Sequence, residues 1–189
     1  MINATHYVLD LETMGKGPRA AIVAIGCVRI EKLAITSSLY RRVRLETSLQ
    51  VGLQVDASTI EWWLQQNDAA RAEIHNPGGI RLESALAELA DFMGKVPGAA
   101  PSKTTLLWGN GSSFDNVIVG NAFDACGIDR PWHFWNDRDL RTLLAIFPAA
   151  KTLPFEGVKH HAEDDAMHEA KQLLTALQFM AASEEEAHA

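Results

Sequence analysis

The sequence predicts an α/β fold with a mixed β-sheet, because its segments change character in a definite order along the chain. Three strand-like segments joined by short turns come first, which is typical of an antiparallel meander. Helical and strand-like segments then alternate, and segments of helical periodicity end the chain. With 189 residues, of which 47% are hydrophobic and 22% charged, the chain is expected to form a single domain over residues 1–182, followed by an acidic tail at residues 183–189.

Four segments are predicted to be β-strands, because they are rich in apolar or β-branched residues and end at turn-forming residues. They cover residues 7–13, 20–28, 38–45 and 104–108. Cys27 lies in the second of them and Cys126 lies near a helix end. Two cysteines are too few for a disulfide framework, so both are expected to be reduced packing residues.

Five segments are predicted to be helical from capping residues and from apolar residues spaced three and four apart. They cover residues 58–74, 82–96, 114–126, 139–147 and 160–182, and the last begins at either His160 or His161. A capping box at residues 58–61 marks the start of the first helix, which could restart at Asn67-Asp68. Residues 76–79 end that helix, and residues 97–103 and 148–158 are predicted to be loops.

The charge and hydropathy of the chain restrict its partners. A net charge of −7 argues against broad non-specific binding of duplex nucleic acid, which requires many basic contacts. A site that holds divalent cations would still have a positive local field, so a nuclease is not excluded. The apolar runs are too short to span a membrane, and the N-terminus lacks the pattern of a signal peptide. The expectation is a cytoplasmic protein without membrane association.

Two carboxylates lie close together at the end of the first predicted strand. Strand alternation places Asp10 and Glu12 on one side, and Leu9 and Leu11 on the other. Neighbouring carboxylates at a buried strand end repel each other unless a cation lies between them, and Mg²⁺ prefers such oxygen ligands. The alternative is a solvated strand end with two unrelated acids.

Two further signals occur at predicted helix starts. Asp115 lies in the first turn of the helix that follows the 104–108 strand, and His160 stands five residues before Asp165 at the start of the last helix. Acids and histidines at helix starts are also common as caps, so each signal alone allows a structural interpretation.

Taken together and in this order, the three signals resemble the DEDDh 3'–5' exonucleases, the DnaQ-like branch of the ribonuclease-H-like fold. That family carries D-x-E on its first strand, an acid after an aromatic residue at a helix start, and H-x4-D on its last helix. The matching residues are Asp10-Leu11-Glu12, Phe114-Asp115, and His160 with Asp165. His161 is out of register, because Ala166 stands five residues beyond it.

Other segments resemble a narrower subgroup of small exoribonuclease-like proteins from phages and mycobacteria. They cover residues 60–66, 108–111 and 137–142, and the whole resemblance extends over about residues 5–175. One position departs from the wider family, which often has Asn four residues before the second-motif acid. Gly111 occupies that position here, and Asn110 is one residue off.

The resemblance implies a ribonuclease-H-like mixed five-stranded sheet flanked by helices, and a metal-dependent exonuclease. Such an enzyme hydrolyses phosphodiester bonds from the 3' end of single-stranded RNA or DNA and releases 5'-monophosphates. The resemblance also implies two divalent cations, Mg²⁺ or Mn²⁺, as cofactors, and His160 as the general base. The catalytic metal ligands that it implies are Asp10, Glu12, Asp115 and Asp165.

Five residues near these motifs are predicted to contact substrate: Thr13, Met14, Trp62, Phe114 and Arg138. Thr13 and Met14 follow the first two acids, where the backbone of family members holds the terminal nucleotide. Trp62 is turned away from the apolar face of its helix and is a candidate for base stacking, whereas Trp63 is expected in the core. Phe114 could equally pack in the core. Arg138 could contact phosphate, or it could face solvent or the second subunit of a homodimer.

Two other classes of function fit parts of the pattern. A binding module with an inactive site would lack one of the acids or the histidine, and none is missing. A metal hydrolase or oxygenase with a His–carboxylate triad would need a further histidine, and His168 is available. Oxygen-rich ligation nevertheless favours Mg²⁺ or Mn²⁺.

Overall fold

A mixed β-sheet forms the centre of the molecule. Across residues 4–74 and 78–187, which the computed structural model describes, five strands lie in the order β3-β2-β1-β4-β5. The strands are β1 (Thr5–Thr13), β2 (Ile22–Glu31), β3 (Ala34–Arg42), β4 (Thr105–Gly109) and β5 (Asp137–Asp139). β1, β2 and β3 form an antiparallel meander, whereas β4 runs parallel to β1, and β5 parallel to β4. The predicted α/β fold with a mixed sheet is confirmed.

Helices pack against both faces of this sheet. Within the described ranges they are α1 (Leu45–Gln50), α2 (Ala57–Leu64), α3 (Asp68–Ile74), α4 (Leu82–Phe92), α5 (Asp115–Cys126), α6 (Leu140–Ile146) and α7 (Ala162–Ala187). Short 3-10 turns cover Phe134–Asn136 and Pro148–Thr152. No helix in the described part of the chain is long and apolar enough to cross a membrane.

Side chains alternate between two buried layers along β1. Leu9 and Leu11 belong to the apolar core on the face covered by α4 and α5. Val8 belongs to the core on the opposite face, which α6 and α7 cover. Because the side-chain period of a strand is two, Asp10 and Glu12 lie on the same face as Val8 and point towards α7.

A glycine in β2 sets how closely α7 approaches this face. Gly26 pairs with Asp10 in the antiparallel ladder. A Cβ built on Gly26 would overlap the carbonyl group of Ala162, the first residue of α7. The absence of a side chain therefore lets the N-terminus of α7 contact the sheet directly beside Asp10.

The predicted capping box at residues 58–61 is wrong. α2 begins at Ala57, and Asp56 occupies the N-cap position without a side-chain capping bond. The Asp56 carboxylate instead accepts a hydrogen bond from the backbone N–H of Lys16 at 2.6 Å, across the chain. The Asp56 side chain therefore binds the loop after β1 and does not cap α2.

Other element boundaries also differ from the predictions. The third strand ends before Leu45, which begins α1, a helix that the sequence does not predict. β5 is also missing from the predicted strands, because it has only three residues and two of them are aspartates. α7 continues to Ala187, into the segment predicted as an acidic tail. α3 begins at Asp68, where the restart was expected, and the predicted turn at residues 76 and 77 lies outside the described residues.

Replacement of Gly26 tests the contact between β2 and α7. Gly26→Ala is expected to lower the free energy of unfolding by about 3 kcal/mol, because the added methyl group forces α7 away from the sheet. Gly17→Ala is the matched control, since a Cβ at Gly17 meets no atom within 4 Å. Its effect should stay within about 0.5 kcal/mol. Urea denaturation measures both, and equal stability of the two variants would contradict this packing.

Candidate active site

The first two acids lie where β1 leaves the regular sheet. Glu12 is buried, with 8% of its surface exposed, and Asp10 stands two residues before it on the α7 side. The β1–β2 ladder shifts register between Glu12 and Thr13, and such irregularities commonly re-aim side chains at functional sites. Both carboxyl groups therefore face the start of α7.

Asp115 reaches β1 from the first turn of α5. β1 pairs with β4 only as far as Val8, so the backbone N–H of Leu11 is free of that ladder. Asp115 Oδ1 accepts a hydrogen bond from this N–H at 3.2 Å. Gly109, the last residue of β4, allows the approach, because a Cβ there would lie 2.5 Å from Asn116 Oδ1.

His160 and Asp165 are fixed to each other at the start of α7. Asp165 Oδ2 accepts a hydrogen bond from the backbone N–H of His160 at 2.7 Å. His160 has φ +65°, a left-handed conformation that is uncommon for residues other than glycine and costs roughly 1–3 kcal/mol. Potential ligand atoms of Glu12, His160 and Asp165 all lie within 4.8 Å of one another. The strained backbone thus places the imidazole against the carboxylates.

The neighbouring residues His161 and Asp164 have structural partners. The ring of His161 stacks on Tyr40 with a centroid distance of 4.6 Å, and its Nε2 lies 3.6 Å from the buried Glu73 carboxylate. Asp164 Oδ2 accepts a hydrogen bond from the backbone N–H of Val158 at 2.8 Å. His161 and Asp164 therefore have their partners outside the cluster to which their neighbours His160 and Asp165 belong.

Desolvation is the main cause that raises the pKa of each clustered carboxyl group. The pKa of Glu12 is raised to about 8 and that of Asp115 to about 7. The pKa of Asp10 is also raised well above its ordinary value, with neighbouring carboxylates adding to the effect of burial. The pKa of Asp165 is raised by burial, although the hydrogen bond from His160 opposes the shift. The cluster needs protons or cations to balance its charge.

A fifth carboxyl group, that of Glu169, was not identified from the sequence. It lies on α7 one helical turn after Asp165, and only 6% of its surface is exposed. Desolvation, followed by the charge of Asp115, raises its pKa to about 8, whereas a hydrogen bond from Asn110 lowers it. Its spacing of four residues from Asp165 is the signal that could have identified it, because such residues share a helix face.

Glu12 lines a cavity of about 300 Å³. Three of the predicted substrate contacts, Thr13, Trp62 and Phe114, line the same cavity. Trp62 is 39% exposed, and its ring lies edge-on to the His160 ring with a centroid distance of 4.9 Å. Trp63 is buried, and its Nε1 donates a hydrogen bond to the carbonyl of Thr13 at 3.0 Å. Of the two tryptophans, Trp62 is the one with a surface open to a ligand.

The other two predicted substrate contacts are not brought to the acids. The side chain of Met14 is buried in the core, and its backbone groups pair with Ala21 and Asp56. The guanidinium of Arg138 donates a hydrogen bond to the carbonyl of Trp135 at 2.9 Å. Contact of Met14 and Arg138 with nucleic acid stays a prediction.

A second cavity, of about 480 Å³, opens on the other side of the cluster. Asp165 and Glu169 line it together with two cationic side chains, those of Arg141 and Lys151. Arg141 Nη2 donates a hydrogen bond to the carbonyl of Asn110 at 2.9 Å, which holds the guanidinium at the rim. The two cavities therefore differ in character, one being aromatic and the other cationic.

The raised pKa values predict how the stability of the metal-free protein depends on pH. The carboxyl groups of Glu12 and Glu169 have an ordinary pKa of 4.5 and a folded-state pKa of about 8. Between these values the folded protein binds more protons than the unfolded chain, so the free energy of unfolding falls as pH rises. Thermal denaturation in EDTA should give a lower midpoint at pH 8 than at pH 5. A higher midpoint at pH 8 would contradict the electrostatics of the cluster.

The sequence matches a known family over most of its length. The 3'-5' exoribonuclease Rv2179c-like domain matches residues 5–177. The exodeoxyribonuclease of Enterobacteria phage T4 is 27% identical in an alignment of 197 positions, which includes 89% of this chain and 86% of the phage protein.

Solved structures share the fold at lower sequence identity. The nuclease domain of 3'hExo, a DEDDh family member bound to rAMP, superposes with a TM-score of 0.60 at 15% identity, over 93% of this chain and 92% of that one. E. coli exonuclease I, in complex with a 5cy-dA13 oligonucleotide, gives a TM-score of 0.59 at 13% identity, over 92% of this chain and 40% of that one. The ribonuclease-H-like DEDDh fold is thereby confirmed. With the family match over residues 5–177, the chain belongs to the 3'-5' exoribonuclease Rv2179c-like family and is a 3'–5' exonuclease.

Proposed function

We propose that the protein is a metal-dependent exonuclease that removes nucleotides from the 3' end of single-stranded RNA or DNA and releases 5'-monophosphates. The observation that carries this proposal is the convergence of Glu12, His160 and Asp165 within 4.8 Å. Asp10 and Asp115 are not part of this group, but their carboxyl groups lie close enough to interact electrostatically with it from β1 and α5. Buried acids next to an imidazole at the edge of two open cavities form a site for hydrolysis of a charged ester.

The donor set fits hard divalent cations such as Mg²⁺ or Mn²⁺. Its oxygen atoms belong to carboxylates, which these cations prefer, and burial leaves the carboxylate charges poorly solvated. Two cations would be held by Asp10, Glu12, Asp115 and Asp165. When bound, they would favour attack of water on the phosphodiester and stabilise the departing 3' oxygen.

His160 is the general base in this proposal. An imidazole accepts protons near neutral pH, and this one lies beside Glu12 and Asp165 at the mouth of the site. Its backbone N–H donates a hydrogen bond to the Asp165 carboxylate, and its ring lies edge-on to the ring of Trp62, which lines the 300 Å³ cavity. The proton of the attacking water would pass to this ring.

The two cavities suggest how a strand is oriented. The terminal base would stack on the exposed ring of Trp62, next to Phe114 and Thr13. Phosphates on the 5' side of the scissile bond would meet Arg141 and Lys151 in the second cavity. These local cations explain how a chain of net charge −7 could hold a polyanion.

The position of His168 bears on one alternative function. His168 hydrogen-bonds with Gln172 and packs against Phe155, and it is not part of the Glu12–His160–Asp165 group, which disfavours a His–carboxylate triad enzyme. Formation of a homodimer and location in the cytoplasm stay predictions from the sequence.

Metal dependence and strand polarity test the proposal together. Purified protein is incubated with RNA and DNA oligomers that carry a label at the 5' or the 3' end, with EDTA, Mg²⁺ or Mn²⁺. The expected result is no cleavage in EDTA, and stepwise shortening of 5'-labelled strands with release of labelled mononucleotide from 3'-labelled strands when metal is present. A circular single strand is the control and should stay intact. Full activity in EDTA or internal cleavage of the circle would contradict the proposal.

The two adjacent histidines provide a matched pair of variants for the general base. His160→Asn should lower the rate constant about 10²–10⁴-fold, because the amide cannot accept a proton near neutral pH. His161→Asn should keep most of the activity, because His161 packs on Tyr40 outside the cluster. Single-turnover rates on one labelled oligomer at saturating Mn²⁺ decide between them. If His161→Asn is the inactive variant, the assignment of both His160 and Asp165 is wrong.

A further inference from the structure

We propose that Glu169 is a fifth carboxylate ligand of the metal centre, and that together with Asp10 and Asp115 it holds the second divalent cation. This inference rests on the proposed function, since it adds a ligand to the same centre. The DEDDh motif does not include this position, and the geometry of α7 alone points to it.

The first observation is an unpaired oxygen. Only 6% of the surface of Glu169 is exposed, yet its Oε2 atom has no hydrogen-bond partner among the residues the structure describes. A buried charged oxygen without a partner costs more than the roughly 1–3 kcal/mol lost at a neutral group. A bound cation would remove this cost.

The second observation is the position of the residue. Glu169 lines the 480 Å³ cavity together with Asp165, so this residue lies where the cavity borders the cluster. The other polar groups that face this space are those of Asn110, Arg141, Lys151, His168 and Gln172. A cation at the boundary between cavity and cluster would be within reach of solvent and substrate.

The third observation places Glu169 on one particular side of the cluster. After desolvation, the charge of Glu169 contributes most to the raised pKa of Asp10, followed by the charge of Asp115. After desolvation, the charges of Asp165, Glu73 and Asp115 raise the pKa of Glu12, and Glu169 is not among them. Glu169 therefore lies on the Asp10 side of the cluster, whereas Glu12, His160 and Asp165 form the group within 4.8 Å. Asp115 influences both Glu12 and Glu169 and lies between the two sides.

A structural role as an ion-pair partner accounts less well for this residue. The nearest candidate is Arg141, which lines the same cavity, but its guanidinium donates to the backbone carbonyl of Asn110. No ion pair within 4.0 Å joins the two side chains in the described part of the chain. Glu169 also lies two turns into α7, too far from its N-terminus to act as a cap.

The consequence is a second cation site with three carboxylates. Asp10 and Asp115 alone would offer two, and an extra negative ligand raises the affinity of a hard-cation site. The protein should therefore bind two Mn²⁺ ions in the absence of nucleic acid. Removal of the Glu169 charge should lower the affinity for one of the two ions and leave the affinity for the other unchanged.

Titration calorimetry with Mn²⁺ on the full chain tests this inference without recourse to activity. The unchanged protein should bind two ions, and Glu169→Gln should lower the affinity for one of them at least about tenfold. Glu163→Gln is the matched control, because Glu163 lies on the same helix, loses the same charge and contacts Ser38 instead of the cluster. It should bind both ions as the unchanged protein does.

Thermal denaturation gives an independent readout. In EDTA, Glu169→Gln should raise the midpoint by roughly 2–4 °C because folding then no longer buries an ionisable carboxyl group at this position, whereas Glu163→Gln should not. The rise in midpoint on adding Mn²⁺ should be smaller for Glu169→Gln than for the unchanged protein. A metal-free midpoint that falls in Glu169→Gln would indicate a structural role.

The outcomes separate this inference from the proposed function. If Glu169→Gln binds two Mn²⁺ ions with unchanged affinity, or if the unchanged protein binds only one, the fifth ligand is wrong while the metal-dependent nuclease stands. If the unchanged protein binds no Mn²⁺ at all, both are wrong. Should Glu169→Gln fail to fold, Glu169→Asp carries the same test, since it keeps the charge but withdraws the ligand atoms. Unchanged Mn²⁺ binding in that variant would likewise overturn the inference.

Discussion

The candidate active site depends on direct contact between the N-terminus of α7 and the backbone of β2 at Gly26. Asp10 lies opposite Gly26 in the ladder, and Ala162 rests on Gly26 where any other residue would place a Cβ. This contact fixes the distance between carboxylates that are more than 150 residues apart in the chain, Asp10 and Asp165. Without it, the histidine and the acid of the last motif would lie one side-chain layer away from β1.

Bringing these acids together is unfavourable in itself. Burial raises the pKa of Glu12 and Asp115, which means that their charged forms are destabilised in the folded protein. Backbone N–H groups of Leu11 and His160 offset part of that cost by donating to Asp115 and Asp165. The remainder must come from the apolar layers on both faces of the sheet, where most residues of β1, β2 and β4 are buried. The packing of these layers therefore offsets the unfavourable free energy of burying the carboxyl groups, and bound cations would lower that free energy.

The parts of this site that could be predicted from sequence are those set by local periodicity. Strand alternation was enough to place Asp10 and Glu12 on one face, and the spacing of His160 and Asp165 was enough to bring both to the start of α7. β5 could not be predicted, because three polar residues have little strand propensity and pair only where β4 offers an edge. Glu169 was not identified, although its spacing of four residues from Asp165 places both acids on one face of α7. Its burial depends on how α7 lies against the sheet, which this spacing does not determine.

The site is also asymmetric, and in the proposed function this asymmetry would orient a bound strand. On the Glu12 side the cavity presents Trp62 and Phe114, which suit the flat face of a base whatever its identity. On the Glu169 side it presents Arg141 and Lys151, which suit phosphate and carry no base preference. In the proposed function, a strand with its terminal base on the aromatic side would have its scissile phosphate near the acids and its remaining phosphates on the cationic side. The reverse arrangement would place phosphates against aromatic rings and a base against cations, so this distribution of side chains would favour cleavage at a strand terminus.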